Sequence, residues 1–72
     1  MEINAVLAQQ ALEEGLAKYP SMAEFGAKLS WRALFQGGAF QLTYDSQPPR
    51  EHPDAWEFQN SVVKAYKRLA GQ

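Results

Sequence analysis

Between Phe25 and Tyr44, apolar side chains return at every second position on either side of a glycine pair. Phe25, Ala27, Leu29, Trp31, Ala33 and Phe35 lead up to Gly37-Gly38, and Phe40, Leu42 and Tyr44 follow it. Period two is the signature of a strand with one buried face. A two-residue turn at Gly37-Gly38 predicts a β-hairpin in which Phe35 opposes Phe40, Ala33 opposes Leu42 and Trp31 opposes Tyr44, all on one face. Local propensity pulls the other way. Residues 21–36 lack β-branched side chains and hold many helix formers, so a second helix stopped by the glycines is the competing reading. On a helical wheel, however, the apolar positions scatter around the circumference, with Glu24, Lys28 and Arg32 interrupting any stripe. Periodicity outranks propensity where a face must be buried.

The flanking segments follow a helical period. From Ile3 to Lys18 the chain is rich in Ala, Leu, Gln and Glu, and Ala5, Ala8, Leu12, Leu16 and Tyr19 form one stripe. Gly15 interrupts it at a cost of about 1 kcal/mol against alanine, which points to close packing there. Ile3, Val6 and Leu7 fall outside the stripe and predict a second, solvated apolar patch. Tyr19-Pro20 ends this helix, and Ser21 with Glu24 has the pattern of a capping box. Residues 45–53 hold three prolines and read as a loop. Asp54 with Glu57 marks a further helix start, after which Ala55, Phe58, Val62, Ala65, Tyr66 and Leu69 share one face and Gly71 stops the run. The expected fold is α+β: helix, β-hairpin, helix, in two layers and one domain spanning 1–72. The alternative is a mainly α chain of three helices with one short strand.

Composition narrows the function more than it names it. Seventy-two residues without cysteine form one small domain that disulfides cannot staple, and the single His52 cannot build a soft-ligand metal site. The remaining source of extra burial is a partner or a second copy. Apolar residues make up 46% and charged residues 21%, as in a globular chain. Net charge is −1, which argues against a general affinity for polyanions, but its distribution is uneven. Residues 1–27 carry −3 and residues 28–72 carry +2. No apolar run is long enough to span a bilayer, so no membrane association is expected and a cytoplasmic location is the expectation.

No residue pattern points to catalysis. His52, Ser46, Asp45 and Asp54 could be drawn as a nucleophile set, but a proline-rich loop cannot hold such groups at about 3 Å. Glu13 and Glu14 are adjacent on a helix and point about 100° apart, so they cannot share a proton. Gly37-Gly38 lacks the flanking glycines and lysine of a phosphate loop. Neither an enzyme activity nor a cofactor or metal is expected. The expected function is a small protein–protein interaction module, a regulator or inhibitor of a larger protein, docking or homodimerising through residual apolar surface. Ile3, Val6, Leu7, Leu34, Trp56 and Val63 are its candidate contacts. The alternative is a nucleic-acid-binding protein using Arg32, Arg50, Lys64, Lys67 and Arg68, three of them crowded at the end of the last helix.

Overall fold

A computed structural model describes residues 2–71. The order is α1 (Ala5–Lys18), a short 3-10 helix (Pro20–Phe25), β1 (Ala27–Leu34), β2 (Gly37–Tyr44) and α2 (Ala55–Leu69). The architecture is the expected α+β helix–hairpin–helix, and the strand reading of residues 27–34 prevails over the helical one.

Asn4 starts α1. Its Oδ1 accepts from the N–H groups of Val6 at 3.0 Å and Leu7 at 3.1 Å, satisfying two of the donors a helix start leaves over. The helix then runs antiparallel to α2. At one end the Asn4 N–H donates to the Tyr66 hydroxyl at 3.0 Å; at the other, the Tyr19 hydroxyl donates to Glu57 at 3.2 Å. Between these ties, Gly15 lets the helices close together. A Cβ there would lie 2.6 Å from Val62 Cγ2 and 3.0 Å from the Phe58 ring. Phe58, Met22 and Val62 are the largest fully buried side chains, each contributing about 1.5–3 kcal/mol of apolar burial. Ala8, Ala11, Leu12, Phe25, Leu42, Ala65 and Tyr66 complete the core.

The hairpin differs from expectation in its register. Its corner is Phe35-Gln36, with Leu34 opposite Gly37, so Trp31 meets Phe40, Leu29 meets Leu42 and Ala27 meets Tyr44. The reason lies in the backbone. Among the described residues only glycines have positive φ, and Gly37, at 116°, takes it immediately after the corner. The corner is therefore not the mirror-image turn that would put both glycines at its centre. Gly38 has a different task. It lies in the strand directly beneath the Trp31 indole, where a Cβ would overlap the ring. The register change is even, so the apolar face is preserved.

One side chain is lost from that face: Phe35, expected in the core, stands in the corner and is wholly exposed. Trp31, also expected in the core, is half-buried and lies edge-on to Phe40, with ring centroids 4.8 Å apart. Phe40 in turn packs edge-on against Tyr66 at 5.1 Å. The hairpin base is thus attached to the helices through Leu42, Phe40 and Ala27, while residues 32–37 are exposed. β2 carries no charged side chain; β1 carries Lys28 and Arg32.

The two helix starts after the prolines also connect. Ser21 does not cap its own turn: its hydroxyl donates to the Asp54 carboxylate at 2.6 Å, tying the 3-10 helix to the start of α2. Ala70 closes α2, and Gly71 follows at φ 78°, as its composition predicts.

Candidate protein-interaction site

The α1 patch resolves into two environments. Ile3 and Leu7, expected to be solvated, pack against the core, because the start of α1 leans on the end of α2. Val6 alone remains 66% exposed. On α2, Trp56 is 70% exposed and Val63 is half-buried. Leu34 is 52% exposed beside the bare Phe35 at the hairpin corner. The alternation assigns Phe35 to the core and so hides it as an interaction residue; Gly37, two positions on and at positive φ, is the signal that places it in a corner.

These exposed groups occupy different parts of the surface. Leu34 and Phe35 form the hairpin tip. Trp56 belongs to a shallow cleft of about 260 Å³ at the strand base, bordered by Tyr44, Pro48, Pro49, Arg50 and Gln59. A strand of eight residues rises about 3.3 Å per residue, which separates the tip from this cleft by more than 20 Å. Burial raises the Tyr44 hydroxyl pKa above its ordinary value of 10.0. A second hollow, about 460 Å³, runs between α1 and β1 and is bordered by Ala5, Ala8, Leu12, Ala27, Lys28 and Leu29.

The basic residues divide in the same way. Lys64 and Arg68 border a polar hollow of about 280 Å³ between the helices, together with Lys18, Ser61 and Glu14. Arg68 is engaged there in an ion pair with Glu14. Lys67 lies elsewhere, its Nζ 5.9 Å from the centre of the Phe40 ring. Arg32 is on the hairpin face turned away from the helices, and Arg50 is in the proline loop. Of the five basic candidates, only Lys64 and Arg68 border this hollow.

His52 has a structural task. Its Nδ1 accepts the Asp54 N–H at 3.1 Å, and its ring meets Phe25 edge-on at 5.5 Å, fixing the loop before α2. The nucleophile set is not assembled, since the Asp54 carboxylate is held by Ser21 instead. Among the described residues no group of three His, Cys, Asp or Glu side chains could hold a metal ion, and no helix is long and apolar enough to cross a membrane. No protein-family model matches the chain, and no curated protein or solved structure is significantly similar to it.

Proposed function

We propose that the chain is a non-enzymatic interaction module that docks onto a larger protein through its hairpin arm, as a regulator or inhibitor does. The observation that carries this reading is the hairpin tip, where Leu34 and Phe35 are presented to solvent beyond the reach of the core. Adjacent large apolar side chains on a projecting arm gain little for a monomer, whereas an aromatic entering a partner's pocket is a typical binding anchor. The accessible surface, 5010 Å², exceeds the roughly 4,500 Å² expected of a folded monomer of this size.

The test is affinity capture from native lysate with the parent chain and with a Leu34→Ser, Phe35→Ser double variant. A partner retained by the parent and lost by the variant supports docking through the tip. Equal retention by both places the contact elsewhere. Sizing across concentration separates docking onto another protein from homodimerisation, which predicts a concentration-dependent shift that the double variant abolishes. For the nucleic-acid reading, the hollow at Lys18, Lys64 and Arg68 would make retention on single- or double-stranded DNA fall steeply with salt.

A further inference from the structure

We propose that the free edge of β1, overhung by α1, accepts an extended segment of a partner protein in which apolar and acidic side chains alternate. This rests on the interaction reading above and gives the partner's contacting segment its chemistry.

The hollow between α1 and β1 touches three consecutive strand residues, Ala27, Lys28 and Leu29. Successive strand side chains point to opposite faces, so a cavity bordered by all three lies along the strand's edge. The other edge of β1 is occupied by β2. The hollow is therefore the free edge, roofed by Ala5, Ala8 and Leu12 of α1.

That edge is unpaired along its length. With a two-residue corner, the pair flanking it exchanges both of its hydrogen bonds. Leu34–Gly37, Arg32–Ala39, Ser30–Gln41 and Lys28–Thr43 then bond to each other across the hairpin. At the strand base the Asp45 N–H is shared between the Phe25 carbonyl at 3.0 Å and the Gly26 carbonyl at 3.3 Å, and the second branch fits the same phase. Leu29, Trp31 and Ala33 consequently turn their N–H and C=O groups outward. Among the described residues none of these N–H groups has a side-chain or loop partner. An added strand would satisfy them, as in other complexes built by strand addition.

The surroundings set the side-chain pattern. On the helix side, Ala5 and Ala8 are short and leave a volume of about 460 Å³ under α1, room for the apolar side chains of an incoming strand. On the far side, Lys28 and Arg32 flank the same edge, where cross-strand carboxylates would lie opposite them. The existing partner of Lys28 is Asp45 at 3.8 Å, both side chains largely exposed, a contact that exchanges readily. A second copy adding its own β1 antiparallel about Ser30, the register that overlaps the strands most fully along 28–32, would instead set Lys28 against Arg32, like charges that the same rule disfavours. The occupant is thus a foreign, acidic strand.

The probe is a capped octapeptide alternating valine and glutamate, titrated into the isotope-labelled chain, with a valine–lysine octapeptide as control. Expected are shifts and slowed exchange at the Leu29 and Trp31 amides, with the already paired Ser30 amide unchanged. Lys28→Glu with Arg32→Glu should weaken the valine–glutamate peptide at least about tenfold and create binding of the valine–lysine one. Ala5→Trp, at an exposed helix position, should abolish binding by filling the hollow. Equal binding of both peptides to the parent chain, or protection confined to β2 or α2 amides, overturns the proposal. A lysate partner lost on changing Leu34 and Phe35 but bound normally by the Ala5→Trp chain overturns it too, while leaving the interaction reading intact.

Discussion

Gly15 shows how much a single atom decides in a core this small. A methyl group there meets Val62, a stiff β-branched side chain that is fully buried, and the equally buried Phe58 ring. Gly15→Ala gains about 1 kcal/mol of helix propensity but overpacks a site where such additions cost about 1–3 kcal/mol. The expected outcome is a lower urea midpoint with an unchanged slope. Asn4 has a second checkable effect. Removing its Oδ1 in Asn4→Ala frees the Val6 and Leu7 N–H groups and should cost about 1 kcal/mol. The packing role of Gly15 was legible in the sequence, since a glycine inside an otherwise strong helix demands a reason. The division of Ile3 and Leu7 from Val6 was not, because only the tilt of α1 across the end of α2 determines which of them is covered.

Among the elements, the hairpin is where sequence and structure part most clearly. The alternation of Ala27, Leu29, Trp31, Phe40, Leu42 and Tyr44 identified both strands and their common face. The corner could not be read from it. A glycine pair serves equally as the two central residues of a mirror-image turn or, as here, as one residue that leaves the corner at positive φ and another that admits an indole. Both arrangements keep the alternation, and they differ in what happens to Phe35. Phe35→Ser is therefore expected to leave stability within about 0.5 kcal/mol, as exposed substitutions do. Trp31→Ala should lower it by about 1 kcal/mol or more through the lost edge-on contact with Phe40. Thermal melts of the two variants distinguish a corner phenylalanine from a core one, because the core reading predicts a loss of about 3–5 kcal/mol for Phe35.

Considered whole, the molecule has a two-helix body and an arm, and its radius of gyration, 11.9 Å, slightly exceeds the roughly 11 Å of an equally long compact domain. The body binds its parts partly through Tyr44, whose hydroxyl burial holds above its ordinary pKa. The native state then keeps this proton more tightly than the unfolded chain. Stability is intact below about pH 10 and declines as pH rises through the Tyr44 pKa. A Tyr44→Phe variant, compared by urea unfolding between pH 9 and 11, should decline less steeply than the parent.

β2 offers eight residues without a single charge or proline. While β1 and the helices cover it, this matters little. Once heat detaches it, the glycine-free part, residues 39–44, has the uncharged, aromatic composition that stacks into cross-β fibrils. Warming should therefore end in turbidity rather than a soluble coil, and a gatekeeper glutamate at the solvent-facing position opposite Lys28, Thr43→Glu, should restore reversible melting.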